Sequence, residues 1–127
     1  DYNGQKAFID TLGDFAKSTG THVHLVAHAR KGGDEFSPPG KMDVKGTGAL
    51  TDMVDNVLVV HRNKAKERDL AILNNGGCVR GKTRDDIQRE YDAFLCCDKH
   101  REDGAEAEGM FGFYFDRKAQ LFVERQV

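Results

Sequence analysis

The sequence predicts an α/β fold with a mostly parallel sheet, because helical and strand patterns alternate along the chain. An amphipathic helical pattern over residues 3–18 precedes an apolar, β-branched stretch at 22–29. A short helical pattern at 47–55 precedes a second apolar stretch at 56–62. Helices that alternate with buried strands are typical of a parallel sheet with flanking helices.

The first helix is predicted from apolar residues at helical spacing, and Gly20 favours its end. The apolar positions are Ala7, Phe8, Leu12, Phe15 and Ala16. Residues 22–29 and 56–62 have the composition of strands buried on both faces. The polar segment between them, residues 30–43, contains both prolines and is expected to be a loop.

The second half of the chain predicts a third strand and a terminal hairpin. Residues 63–92 are charged and irregular, with one possible helix at 84–92, and are expected to form an insert at about 64–92. The apolar residues 93–97 indicate a strand. Residues 112–116 and 120–124 alternate as two hairpin strands do, joined by three polar or small residues.

The composition predicts one modest domain. The chain has 127 residues, of which 31% are charged and 39% hydrophobic, and its net charge of −2 gives no overall basic field for nucleic acid. No apolar run approaches the length of a membrane helix, and no signal-peptide pattern opens the chain. Three cysteines favour reduced thiols in the cytoplasm over a disulfide framework. Since a helical pattern begins almost at once after Asp1, we expect a piece of a longer protein.

Two basic, glycine-containing segments follow the first predicted strand. Arg30, Lys31 and Lys41 lie in the loop at the strand's carboxyl end, where open α/β sheets bind ligands. The simpler alternative is a solvated surface loop. In "KGTGAL" (residues 45–50), Lys45 and two glycines precede a helix, so backbone amides there could hold phosphate. A capped turn is the alternative.

The histidines and cysteines give a weak indication of metal binding. His28 ends an apolar stretch, a position that is more often structural than catalytic. His22 and His24 share one face of the predicted strand. A zinc site formed by them with Cys96 and Cys97 lacks the usual ligand spacing, so we predict no metal site within the chain.

Two further segments carry charged candidates. Lys99 and Arg101 are two residues apart after the third strand and are expected to point the same way, unless they form a surface cluster with Glu102 and Asp103. "GGCVRGKT" (residues 76–83) matches the phosphate-binding loop of many ATPases. A working loop follows a buried strand and precedes a helix N-terminus, whereas here a short apolar run precedes it and two aspartates follow it. We therefore interpret it as a chance match; a small kinase-like enzyme is the alternative.

Taken in order, these segments resemble the second half of the RecA-like motor domain of ring-shaped replicative DNA helicases. That family includes the T7-type phage primase-helicases, mitochondrial Twinkle and bacterial DnaB. The resemblance rests on "GDFAKSTGTHVHLVAHARK", "MDVKGTGALTDMVDNVLVVHRN", "CDKHREDG" and "GFYFDRKAQLF". It covers nearly the whole chain except about residues 64–92, and the second segment is its most specific part.

The resemblance implies a role for each candidate residue. His28 would sense the γ-phosphate, while Lys99 and Arg101 would reach as trans-acting fingers into the ATP site of the neighbouring subunit. Arg62 and Phe115 would hold the nucleotide base. The residues implied to bind single-stranded DNA are Lys45, Gly46 and Gly48, with Arg30, Lys31 and Lys41 as further contacts.

The resemblance also implies what lies outside the chain. The fold would be a partial RecA-like domain that lacks the upstream Walker A and B strands, which supply the main phosphate and Mg²⁺ ligands. The complete protein would be a hexameric, cytoplasmic DNA helicase that uses ATP or dTTP with Mg²⁺. Its partners would be single-stranded DNA and copies of itself, with a primase domain and a DNA polymerase as further candidates and no membrane. A non-catalytic module that binds single-stranded DNA is the alternative.

Overall fold

The computed structural model describes residues 2–29, 34–37 and 48–126 and shows a mixed α/β chain. A short 3₁₀ helix, Gly104–Glu106, precedes the last two strands. In chain order the elements are α1 (Tyr2–Thr19), α2 (Ala49–Asp52), β1 (Asn56–Arg62), α3 (Lys64–Asn74), α4 (Arg84–Gln88), β2 (Ala93–His100), β3 (Gly109–Asp116) and β4 (Leu121–Val123).

The chain divides into two compact units. The described residues of the first unit are 2–29, 48–58 and 97–108, and those of the second are 34–37, 59–96 and 109–126. Several elements follow the sequence closely. Helix α1 ends at Thr19, directly before Gly20, whose φ of +64° suits glycine, and β1 spans the residues predicted for it. The predicted helix at 47–55 is present in shorter form as α2.

The four strands form a sheet in the order β1-β2-β3-β4, and the prediction of a mostly parallel sheet is wrong for it. Strands β3 and β4 pair antiparallel, with Phe115 opposite Phe122, which confirms the terminal hairpin. The Asn63 amide donates to the Asp92 carbonyl, and the Arg101 amide donates to that of Asp55. The two ends of β1 thus meet opposite ends of β2, so these strands are also antiparallel. Short connections after β2 and β3 permit only this direction, since parallel strands need long crossovers.

The strand predicted at residues 22–29 is not formed. Residues 21–28 have no regular secondary structure, and Ala29 makes only an isolated bridge. Leu25 is 43% exposed and Val26 is 87% exposed. An apolar run becomes a buried strand only where a neighbouring strand takes its backbone hydrogen bonds and other elements cover its faces. No strand in the described part of the chain pairs along this run.

Strand β1 is half-buried, although the sequence predicted burial on both faces. Val57 and His61 are each 8% exposed, whereas Leu58 and Val60 are 56% and 75% exposed. Burial therefore alternates along the strand, as it does where only one face of a sheet is covered.

The insert at about 64–92 is more regular than predicted, because it contains both α3 and α4. The Asn63 side chain accepts a hydrogen bond from the Lys66 amide and so caps α3. Thr83 and Asp86 form a capping box at the start of α4, and Ile87 is fully buried. Tyr91 packs near Tyr114, with ring centroids 5.0 Å apart. Any side chain at Gly112 would overlap the Tyr91 ring, which explains the glycine in the middle of β3.

A buried ammonium group ties this insert to the hairpin. The Lys66 side chain is only 8% exposed, and its Nζ donates to the Gln88 carbonyl at 3.1 Å, the Glu90 carbonyl at 2.8 Å and Asp92 Oδ1 at 2.7 Å. The second oxygen of Asp92 accepts the Phe115 amide at 2.8 Å. A buried charge is tolerated when paired and hydrogen-bonded in this way.

Removing the Asp92 carboxylate should destabilise the chain more than removing an exposed one. Loss of one partner of a buried ion pair costs roughly 3–5 kcal/mol; because Asp92 is 34% exposed, we expect about 2–3 kcal/mol for Asp92→Ala. Asp85→Ala, at an exposed position in α4, is the control. Urea unfolding of both variants measures the difference, and equal midpoints for the two would contradict this account.

Candidate functional site

The structure describes six of the predicted site residues. These are His28, Gly48, Arg62, Lys99, Arg101 and Phe115. Five others lie outside the described residues, namely Arg30, Lys31, Lys41, Lys45 and Gly46. Gly48, Lys99 and Arg101 each contact residues within 51–55 in the first unit, where α2 ends and the chain leads into β1.

Gly48 begins this arrangement. Its carbonyl accepts hydrogen bonds from the Thr51 amide at 3.1 Å and the Asp52 amide at 2.8 Å, which are the first bonds of α2. A Cβ at Gly48 would lie 3.3 Å from Asp52 Oδ2, so a side chain there would require a small shift of the exposed Asp52 carboxylate. The last glycine of the predicted DNA-binding segment therefore directly precedes α2 and accepts its first hydrogen bonds.

Lys99 closes the other end of α2. Its Nζ donates to the Thr51 carbonyl at 3.1 Å and the Asp52 carbonyl at 2.8 Å. The last carbonyl groups of a helix have no partner within it and carry partial negative charge, so a cation there is favourable. Lys99 thus joins the end of β2 to the end of α2.

Arg101 binds the residues that follow α2. Its Nη2 donates to the carbonyls of Met53 at 3.3 Å and Val54 at 3.2 Å. Its Nη1 lies 3.1 Å from Asp55 Oδ1, and its backbone amide donates to the Asp55 carbonyl at 3.0 Å. The Arg101 side chain is still 52% exposed. The guanidinium is therefore oriented by three consecutive residues and remains accessible from solvent.

The alternative prediction was that Lys99 and Arg101 form ion pairs with Glu102 and Asp103 in the turn after β2. The structure shows a different ion pair for Arg101. Arg101 pairs with Asp55 across the unit, not with its chain neighbours. The Asp103 amide donates instead to His100 Nδ1 at 3.1 Å. The side chains of Lys99 and Arg101 both contact the segment of residues 51–55.

Arg62 and Phe115 lie in the second unit and contact different partners. Arg62 Nε donates to Glu67 Oε2 at 2.9 Å, and both side chains are more than half exposed. The Phe115 ring lies 5.1 Å from that of Phe122, its partner across the hairpin. No contact described within the second unit joins Arg62 to Phe115.

His28 is exposed in the segment that lacks regular secondary structure. The neighbouring His22 and His24 rings stack with centroids 4.5 Å apart. Within the described residues, no group of three or more histidine, cysteine, aspartate or glutamate side chains is arranged to hold a metal ion.

The "GGCVRGKT" segment lies in a context unlike that of a phosphate-binding loop. It follows helix α3 where a phosphate loop would follow a strand, and the helix after it has only five residues. Lys82 Nζ contacts Glu90 Oε1 at 2.5 Å and lies 4.0 Å from Asp69 Oδ2. Its hydrogen bond with Glu90 raises the pKa of Lys82. Lys82 is thus paired with carboxylates, the groups with which a phosphate would compete.

Thr83 and Asp86 further fill the start of α4. The Thr83 hydroxyl accepts from the Asp86 amide, and the Asp86 carboxylate accepts from the Thr83 amide at 2.8 Å. The hydrogen bond from the Thr83 amide lowers the pKa of Asp86, so this carboxylate stays charged at neutral pH. A negative group therefore lies where a bound phosphate would need backbone amides.

No family model matches this chain, and no curated protein matches it. None of the described helices combines the length and the apolar character needed to cross a membrane.

Sequence reasoning missed Asp55, the acidic partner of Arg101. A signal was available, because Asp55 directly precedes β1 while Arg101 directly follows β2. In an antiparallel pair those two positions are neighbours. The direction of the two strands was needed to use that signal, and the sequence predicted the wrong one.

Lys82→Ala should leave the affinity for ATP and dTTP unchanged, because Lys82 is paired with Glu90 and lies near Asp69. Equilibrium binding of each nucleotide with Mg²⁺ to the wild-type and variant proteins measures this. Lys118→Ala, another exposed lysine outside the segment, is the control. A large loss of affinity in Lys82→Ala alone would mean that "GGCVRGKT" does bind phosphate.

Proposed function

We propose that this chain is the C-terminal part of the RecA-like motor domain of a hexameric replicative DNA helicase. The complete protein would hydrolyse ATP or dTTP, move along single-stranded DNA and unwind duplex DNA. One observation carries the proposal beyond the motifs: Lys99 and Arg101 both bind the segment that begins three residues after Gly48. The proposed fingers and the end of the proposed DNA-binding turn therefore meet at α2.

The chemistry of Arg101 suits a group that acts on a neighbouring subunit. A guanidinium presents several N–H donors in a plane that matches phosphate oxygens. An arginine supplied from outside can raise the rate of phosphoryl transfer by roughly 10³–10⁵, because it stabilises charge in the transition state. Its 52% exposure supports access to a second subunit. Lys99 fits a supporting role better, since its ammonium binds two helix carbonyls.

The same short helix would connect DNA binding to this group. Lys45 and Gly46 would contact the DNA backbone together with Gly48, and the Gly48 carbonyl accepts the first hydrogen bonds of α2. Lys99 holds the opposite end of α2, and Arg101 binds the three residues after it. A shift of the turn on DNA would therefore reach Lys99 and Arg101 through one turn of helix. His28 would sense the γ-phosphate, with Arg30, Lys31 and Lys41 as further DNA contacts.

The remaining roles follow the resemblance. Arg62 and Phe115 would contact the nucleotide base, by guanidinium stacking and by an aromatic face. The main phosphate loop and the carboxylate for Mg²⁺ would lie upstream of Asp1. The antiparallel sheet does not itself support a RecA-like core, so the proposal rests on the motif order and on the contacts around α2.

Lys45→Ala should weaken binding of single-stranded DNA about equally for all sequences, because the proposed contact is to a phosphate. Removing one phosphate contact should reduce the slope of log affinity against log salt by about 0.7. Fluorescence anisotropy with oligonucleotides of different sequence, over a range of salt concentrations, measures both effects. Lys6→Ala, on the exposed surface of α1, is the control. An unchanged slope would return Lys45 to an ordinary turn residue.

Arg101→Ala should abolish multiple turnover of hydrolysis by the full-length protein while weakening nucleotide binding much less. The contact of a finger strengthens as charge develops in the transition state, so the ground state loses little. Steady-state hydrolysis and equilibrium nucleotide binding separate the two effects. If the protein is instead a non-catalytic DNA-binding module, the wild type will show no hydrolysis, but Lys45→Ala will still weaken its binding of single-stranded DNA.

Mixed rings test whether Arg101 acts across an interface. Arg101→Ala subunits are combined with subunits that carry a broken upstream phosphate loop, each inactive alone. Some interfaces then pair an intact loop with an intact finger, so hydrolysis should partly return. Single-turnover measurements over a range of mixing ratios guard against full cooperativity around the ring. If mixed rings form and no ratio restores hydrolysis, the trans role of Arg101 is wrong.

A further inference from the structure

Asp55 makes two contacts with Arg101, and none of the roles proposed above includes it. Its carbonyl accepts the Arg101 backbone amide at 3.0 Å, which fixes the end of β2 beside the start of β1. Its Oδ1 lies 3.1 Å from Arg101 Nη1. The Asp55 side chain is 74% exposed, so burial does not require this carboxylate to be there.

We propose that Asp55 is a positioning residue that orients the Arg101 guanidinium toward the nucleotide of the neighbouring subunit. This inference rests on the proposed function. An arginine side chain is long and flexible. If Arg101 moved freely, it would lose conformational entropy each time it bound a phosphate. The carbonyls of Met53 and Val54 hold Nη2, and Asp55 holds Nη1. Contacts on both terminal nitrogens fix the plane of the guanidinium before the phosphate arrives.

The contacts that orient the guanidinium also leave it able to bind a phosphate. A guanidinium carries five N–H donors, and the carboxylate and the two carbonyls engage three at most. The ion pair is exposed at both ends, so it is weak and is screened by salt. A nucleotide γ-phosphate carries more negative charge than one carboxylate, so it attracts the guanidinium more strongly. Asp55 can therefore orient the Arg101 guanidinium without preventing it from binding the phosphate.

Asp55→Asn in the full-length protein removes the charge and keeps the shape. Exposed ion pairs contribute little, so we expect kcat for DNA-stimulated hydrolysis to fall about two- to fivefold, with KM for the nucleotide unchanged. The deficit should shrink at high salt because the pair is screened. Asp55→Glu should restore most of the rate. Glu102→Gln removes a neighbouring exposed charge and should behave as wild type.

A double-mutant cycle shows whether Asp55 acts through Arg101. In the Arg101→Ala background, adding Asp55→Asn should leave the residual single-turnover rate unchanged, because the group to be oriented is gone. An equal loss in both backgrounds would overturn the inference, since Asp55 would then act independently of the finger. Asp55→Ser repeats the cycle with a smaller side chain, so that misfolding of one variant does not decide the result.

The remaining outcomes are equally distinct. An unchanged kcat in Asp55→Asn, with stimulated hydrolysis normal in wild type, would overturn the positioning role alone. A kcat above wild type would show that Asp55 competes with the phosphate, which also overturns it. If the wild-type full-length protein shows no DNA-stimulated hydrolysis at all, the proposed function fails and this inference fails with it.

Discussion

The buried ammonium of Lys66 is the constraint on which the second unit depends. A charge removed from water costs several kcal/mol unless oxygen atoms surround it. The oxygens that meet this need come from the last residue of α4, Gln88, and from Glu90 and Asp92 before β2. Asp92 in turn accepts the Phe115 amide. Lys66 on α3 thereby links α3 to the residues that lead into β2 and, through Asp92, to β3.

In the first unit, too, cationic side chains join two segments by hydrogen bonds to backbone carbonyls, but these side chains are more exposed than Lys66. The carbonyls left without helical partners after α2 are those of residues 51–54, and two cations from the end of β2 satisfy them. A helix of four residues has little stability of its own, since nucleation is costly and propagation short. Lys99 and Arg101 therefore help to define α2 as well as to lie beside it. A displacement of α2 would therefore alter the hydrogen bonds of both side chains.

Local patterns were predictable from the sequence, and long-range pairings were not. Helix α1, strand β1 and the terminal hairpin follow from spacing and turn residues within each segment. Helix α3 was missed because its buried residues are Lys66 and Asp69, which no apolar period reveals. The direction of the sheet depends on pairings across the 30 residues from 63 to 92. The contact of Asp55 with Arg101 depends on that direction, so it too was hidden.

Exposure separates the cations that hold the fold from those that can change partner. Lys66 is 8% exposed, and a ligand could take it only by breaking its three hydrogen bonds within the second unit. Lys82 is 43% exposed, but two carboxylates compete with any phosphate for it. Arg101 is 52% exposed and has neutral carbonyls with one solvated carboxylate as partners. Its contacts are the weakest of the three, so Arg101 is the cation best able to exchange them for a phosphate.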